Sequence, residues 1–401
     1  MDAYLLDWAN LLLRWVHVIT AIAWVGSSFY FVFLDNSLTK PTAPELLDKG
    51  VDGELWAVHG GGFYHPQKYL VAPRQMPEHL HWFYWESYST WLTGFSLFTV
   101  LYLFNAGTFM VDKSVYDWSP GAAVGAALGF LVVCWFVYDG ICRAFGQKKN
   151  GDLIVGVGIF AFVVFAAWLA CQLFAGRAAF LLVGAMMATT MSANVFVWII
   201  PGQRKVVAQL KAGQKVDPIY GWRAKQRSVH NTYFTLPVLI AMLSNHYGWL
   251  YQGRSNWLVL VLLMLAGALI RHSFVARHKA LVQGKRAPWE HAAVGLLVLL
   301  GVAVWLAPSP PSAATAKAAV KPVAFAEVTG VIERRCVMCH NAILQNKGIA
   351  LNTPELIKKN AQAAYQQATV LKLMPFNNAT QITDDERSLI KRWFEAGAPA
   401  D

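Results

Sequence analysis

Charge is scarce in this chain: Asp, Glu, Lys and Arg make up only 14% of its 401 residues, while 56% are hydrophobic and 17 are Trp. A soluble globule of this length needs more polar surface, so the composition excludes one and points to a lipid bilayer as the solvent. Leader features are missing too. Asp2 and Asp7 precede the first apolar run, with no basic segment and no small-residue cleavage site, so no removable signal peptide is expected. Cysteine is sparse: of five, Cys134, Cys142 and Cys171 lie in or beside apolar runs and are expected to be packing residues. The two that remain are too few for a Cys-rich zinc site. The chain shows no internal repeat, and no apolar run carries a ladder of acidic residues or matched Gly/Pro breaks, which argues against solute or metal transport.

What is abundant is apolar length. Runs of about 18 residues suffice to cross a bilayer, and eight qualify, roughly 9–34, 88–107, 121–142, 153–175, 178–200, 232–251, 256–274 and 290–307. The net charge of +11 is distributed with a clear alternation. The odd loops carry 4, 3, 7 and 5 Lys and Arg, whereas the even loops carry only Lys113, Arg177 and Arg254. Excess positive charge marks cytoplasmic loops, so both termini are expected outside. The basic balance is thereby explained as topology, and no nucleic-acid surface is expected.

After Leu306 the pattern changes. Residues 308–324, PSPPSAATAKAAVKPVA, are rich in Pro and Ala and read as a linker, reaching roughly 50 Å if extended. Residues 325–401 follow as a small domain with helices expected near 325–335, 354–372 and 383–396. The fold class is therefore all-α: an eight-helix transmembrane bundle over 1–307 and a small helical domain. The long first loop, 35–87, contains GELWAVHGGGFYHPQKYL, whose Gly60–Gly62 break predicts a hairpin.

The small domain carries the most specific motif. Cys336-Val337-Met338-Cys339-His340 is a CxxCH sequence, in which two thiols capture the vinyl groups of a c-type haem and the adjacent His becomes an iron ligand. Met374, in Leu373-Met374-Pro375, is the natural second ligand. With His340 and Met374 on the iron, the domain carries electrons rather than activating oxygen. Trp393 and Phe394 are expected to pack on Val328–Val331, with Gly330 allowing close approach. Covalent haem attachment takes place outside the cytoplasm, in agreement with the charge-derived topology.

Ionisable groups at membrane depth are expensive and are functional candidates. His17 lies inside the first span, expected in its outer half, with Arg14 one turn earlier. Glu86 and the aromatic cluster from Trp82 to Trp91 open the second span; Arg227, His230 and Asn231 precede the sixth; His246 ends it. His230 and His246 lie 16 residues apart, about 160° round a helix at 100° per residue, which disfavours a stacked pair of haems on that helix. His59 and His65 lie in the first loop, and His272 and His291 at later span ends.

Taken together, RWVHVITAIAWVGSSFYFVFLDNSL, VHGGGFY, HWFYWESYSTWLTGF, RSVHNTYFTLPVLIAMLSNH and the closing MPFNNATQITDDERSLIKRWFEAGAP resemble the bacterial membrane-bound urate oxidases with a fused cytochrome c. The resemblance covers nearly the whole chain. It implies oxidation of urate to 5-hydroxyisourate in purine catabolism, with electrons passed to the attached cytochrome and on to a cytochrome oxidase or soluble cytochrome c. It also implies the bacterial inner membrane, with the N-terminus and cytochrome domain in the periplasm. Urate is a flat anion that needs a cation, a base and stacking, and His59, Glu86, Arg227, His230 and Asn231 are the candidates. Cytoplasmic urate would leave a gap near 30 Å to the covalent haem. Either a haem b involving His17 bridges it, or the catalytic pocket lies nearer the outer surface. The competing reading is a non-catalytic cytochrome subunit anchored beside another dehydrogenase or oxidase.

Overall fold

The computed structural model describes residues 2–69, 72–73, 76–307 and 323–399. Most of the expected linker, 308–322, lies outside the described residues.

Helices occupy all eight apolar runs. α1 is Asp2–Ser37; α2 is Trp85–Phe98, continued by a π-helical turn at Thr99–Leu103; α3 is Pro120–Phe145 and α4 is Gly151–Leu173. α5 starts at Gly176–Ala193 and runs through a π-helical turn, Asn194–Ile199, to Lys211; α6 is Pro218–Leu243, α7 Asn256–Val282 and α8 Glu290–Trp305. By length and composition, α1, α3, α4, α5 and α7 could each cross a membrane, and α8 is apolar but shorter. α2 has only 14 residues before its π turn, and α6 opens on the charged stretch from Arg223 to Arg227.

Local chemistry sets the helix starts. Ser119 caps α3 by accepting from the Ala122 N–H, and Asp217 caps α6 by accepting from Ile219; each is followed by Pro at the first helical position, where its missing N–H costs nothing. α5 is the central helix, and small residues let its neighbours close on it: Ala166, Ala167, Ala170, Ala178 and Ala179 are buried. Gly184 of α5 approaches α6 so closely that a Cβ there would lie 2.9 Å from that of Ala241.

The first loop folds as two antiparallel pairs, β1 (Val51–Glu54) with β4 (Gln67–Tyr69) and β2 (Ala57–His59) with β3 (Gly62–Tyr64). Gly60 and Gly61 turn the inner pair with φ of 57° and 80°, the left-handed region that two-residue hairpin turns require.

Residues 323–399 build a second apolar core from α9 (Phe325–Arg335), α10 (Pro354–Lys359), α11 (Ala361–Tyr365) and α12 (Asp384–Glu395). Trp393 is fully buried, stacks on Phe325 with centroids 5.6 Å apart, and joins Val328 and Val331 in that core. Phe394 instead stacks on Tyr365 at 4.4 Å. Gly330 makes no close helix contact: a Cβ there would meet only Arg334 of its own helix, at 3.4 Å. Thr383 and Glu386 form a reciprocal capping box at the start of α12. In this unit burial would by itself raise the Glu386 pKa, but the cap bond from Thr383 and the Arg335 ion pair hold it below the usual glutamate range.

Candidate functional site

Two polar regions stand out in the molecule, and one of them joins the helical bundle to the C-terminal unit. Cys336, Cys339, His340 and Met374 all line a single cavity of about 1780 Å³ that continues down between α1, α2, α5 and α6 to His17. α9 ends at Arg335 and presents the two cysteines. His340 Nδ1 donates to the Ile349 carbonyl at 3.0 Å, a bond that fixes the ring and leaves Nε2 with its lone pair. On the other side, the Met374 carbonyl accepts from Arg387 Nη1 at 2.7 Å, which pins the loop carrying the thioether.

A covalent haem fits these residues. The walls of the crevice are apolar, including Ile332, Ile349, Leu351 and Ile390, and His340 and Met374 belong to the same lining. A redox dithiol fits poorly, because burial pushes the Cys336 thiol up to about 11, whereas reactive dithiols are lowered. Among the described residues no three His, Cys, Asp or Glu side chains are grouped to hold a metal ion by themselves.

The Met374 loop is the part of the C-terminal unit that meets the bundle. Gln252 Nε2 donates to the carbonyls of Leu371 and Lys372 at 3.0 and 2.8 Å. Phe376 packs edge-on to Phe109 at 4.7 Å and lies under the Arg177 guanidinium at 5.0 Å. Leu373 inserts against Gly248, where a Cβ would lie 2.3 Å from Leu373 Cδ2 and the leucine would have to shift. Beneath Phe376, Arg177 Nε and the Tyr102 hydroxyl both donate to Asn245 Oδ1, at 3.0 and 2.6 Å. His246, Arg14 and His17 line the same cavity. The His17 ring lies against Thr90, Thr93 and Gly94, at the middle of the helical segment 85–103.

The second region is closed and lies where the last turns of α3, the π-helical turn of α5 and the first half of α6 meet. Arg227 Nη2 donates to Asp139 Oδ1 at 2.7 Å, and Trp198 Nε1 donates to the same oxygen at 2.8 Å. The guanidinium is sandwiched by Tyr138 and Trp198, at 5.1 and 5.3 Å from the ring centroids. The Tyr138 hydroxyl is 2.8 Å from His230 Nδ1 and accepts from Asn194 Nδ2 at 2.9 Å; Asn194 also donates to Asn231 Oδ1 at 3.0 Å. Arg227 and Asp139 are only 3% and 5% exposed. Two atoms here are buried with no partner among the described residues, Arg227 Nη1, a donor, and Asn194 Oδ1, an acceptor.

The structure thus brings Arg227, His230 and Asn231 together, and no hydrogen bond or ion pair among the described residues ties the other two substrate candidates to them. His59 sits at the exposed tip of the β2–β3 hairpin, and Glu86 is in the first turn of α2, half-buried. His65 is committed within the hairpin, 2.6 Å from Glu54 and stacked on Trp56. His272 accepts or donates with the Tyr233 hydroxyl at 2.7 Å and contacts His291. Sequence reading missed Tyr138, Asp139 and Asn194. Only Asp139 left a signal, a lone acidic residue inside an apolar run.

The class of protein is now defined: a predominantly helical chain with several helices able to cross a membrane and a C-terminal unit whose cavity runs into them. Residues 3–307 match the family described as urate oxidase, N-terminal, and the chain belongs to that family. No curated protein and no solved structure matched it.

Proposed function

We propose that this chain is a membrane-bound urate oxidase that passes electrons to its own covalently attached haem c. The supporting observation is that the family match covers the helical bundle while the CxxCH cysteines, His340 and Met374 line a cavity continuous with that bundle. Residues 1–307 form the membrane domain with eight spans, 308–324 the linker and 325–401 the cytochrome c domain, which stands with the N-terminus on the periplasmic side of the bacterial inner membrane. The half-reaction balances as urate plus water giving 5-hydroxyisourate, two protons and two electrons.

Cys336 and Cys339 would hold the haem, with His340 and Met374 as the residues that would ligate its iron. When bound, that group would supply one-electron acceptance, with a cytochrome oxidase or soluble cytochrome c as the onward acceptor. On the substrate side, Arg227, His230 and Asn231 act with Tyr138 and Asn194. The unpartnered donor on Arg227 and acceptor on Asn194 match the alternating carbonyl and N–H groups of a urate edge, and a buried site with such needs rejects molecules that cannot meet them. His230 holds or releases a proton at Nε2 while Nδ1 stays on Tyr138.

The test is the visible spectrum of the purified, air-oxidised protein mixed anaerobically with urate. Appearance of the reduced c-type band supports urate oxidation by this chain alone. If dithionite reduces the haem and urate does not, the chain is an electron-transfer subunit whose catalytic partner is another protein.

A further inference from the structure

The cavity holds more than the covalent haem requires. Pockets for one drug-sized ligand span about 300–1,000 Å³, and this one reaches about 1780 Å³. Its lower part, between α1, α2, α5 and α6, is walled by apolar side chains such as Phe95, Phe98, Leu181 and Leu239. The polar groups in that part are already committed: Thr90 donates to the Glu86 carbonyl at 2.6 Å, Thr235 to the Asn231 carbonyl at 3.0 Å, and Trp91 to Thr189 at 3.1 Å. A small polar molecule such as urate would be desolvated there without partners, at a cost of about 1–3 kcal/mol for each unmade hydrogen bond. A large apolar macrocycle would not.

His17 supplies what such a macrocycle needs. Its Nδ1 lies 3.1 Å from the Thr90 carbonyl and 3.2 Å from Thr93 Oγ1. A carbonyl only accepts, so Nδ1 carries the proton and Nε2 keeps its lone pair. This is the outer-sphere arrangement that orients metal-binding histidines. The ring is seated on Gly94, where a Cβ would lie 2.7 Å from His17 Cε1; any larger residue would displace it.

Higher in the cavity stand two guanidiniums, with Asp7 on the same lining. Arg14, one turn from His17, donates to the Asn10 amide oxygen at 3.2 Å, and Arg177 donates to Asn245. Neither forms a salt bridge among the described residues, although other Arg side chains in the chain do. Cations in a low-dielectric setting call for anionic partners.

We infer that this cavity binds a second, non-covalent haem of the b type, with His17 Nε2 as an iron ligand and Arg14 and Arg177 pairing with its propionates. The site lies between the Arg227 network and the Met374 loop. Asn231 and Asn245, which mark those two levels on the α6 side, are separated by about 20 Å at 1.5 Å per helical residue. A haem midway divides that span into two shorter transfers. The inference does not depend on urate being the electron donor.

Haem content tests it without any activity measurement. Protein purified from cells able to attach haem c is extracted with acid acetone, and the extract and residue are assayed as pyridine haemochromes. We expect extractable haem b in equal amount to covalent haem, and His17→Ala protein that keeps covalent haem but has lost the extractable fraction. Thr93→Val should weaken retention about tenfold, the lower range for outer-sphere changes. Should His17→Ala fail to accumulate, His17→Gly grown with imidazole gives the same readout, with exogenous imidazole restoring the b-type band. Wild-type protein with no extractable haem, or a His17 variant with the wild-type amount, overturns the proposal; the urate-dependent reduction described above can succeed or fail independently of either result.

Discussion

Arg227 and Arg177 are both guanidiniums within a bundle of apolar helices, yet their surroundings have little in common. Arg227 is 3% exposed, ion-paired to Asp139 and closed between two aromatic rings. Arg177 is half-buried, meets the neutral Asn245, the Tyr102 hydroxyl and the face of Phe376, and lines an open cavity together with Arg14. A buried charge survives only when paired and hydrogen-bonded. The first arginine is therefore anchored in the folded framework of α3, α5 and α6, with its buried Nη1 left without a partner among the described residues, while the second forms no ion pair among the described residues. The distinction separates a charge whose position is fixed by its counter-ion from one that the fold leaves uncompensated, although both look alike in an apolar sequence.

The largest expected effect comes from unpairing Arg227. Asp139→Ala leaves its guanidinium buried without a counter-charge, which should cost about 3–5 kcal/mol, read as a lower unfolding temperature in detergent or loss of folded protein from membranes. Replacing both partners together, Asp139→Leu with Arg227→Met, should recover much of that stability, because the penalty arises from the unpaired charge rather than from lost attraction. Equal losses from Asp139→Ala and Arg177→Gln would abolish the contrast between the two regions. Next in size is Tyr138→Phe. The hydroxyl accepts from Asn194 and pairs with His230, so its removal strands two buried polar groups and should cost about 1–3 kcal/mol, measured by the same unfolding experiment.

How much of this was readable beforehand differs between the two regions for a physical reason. The residues expected to hold a haem come from a contiguous motif, Cys336 to His340, and a loop near Met374, so local spacing was enough to single them out, and the structure places them on one cavity. Helix positions were readable likewise, since apolar length alone demands a helix in lipid. The hairpin was visible in its glycines, and its strands pair around Gly60 and Gly61. The Arg227 network was half visible: Arg227, His230 and Asn231 stood out as polar residues on one helix, but Tyr138 and Asn194 come from α3 and α5, and nothing local signals their meeting. His59 and Glu86 drew attention by type and by neighbouring aromatics, yet no hydrogen bond or ion pair among the described residues ties either to the other candidates. What His17 touches was not readable, because the contacts to Thr90 and Gly94 depend on how far α1 slides along α2. A continuous apolar run contains no marker for that register.

The smallest effect sharpens the comparison from the side of the open cavity. Arg177→Gln keeps a donor for Asn245 and removes the guanidinium from the face of Phe376, an interaction of about 0.5–1 kcal/mol at a partly exposed site. The fold should be barely affected, since the loop around Met374 is also held by the two bonds from Gln252 and by Leu373 inserted at Gly248. Local opening of residues 371–376 should nevertheless become more frequent by about two- to fivefold, the factor that such an energy represents. Hydrogen–deuterium exchange of that segment measures it directly. Faster exchange confined to 371–376, with an unchanged unfolding temperature, is the signature of an arginine that serves the cavity and its contact with the C-terminal unit. A drop of several degrees in unfolding temperature would instead place Arg177 beside Arg227 as part of the framework.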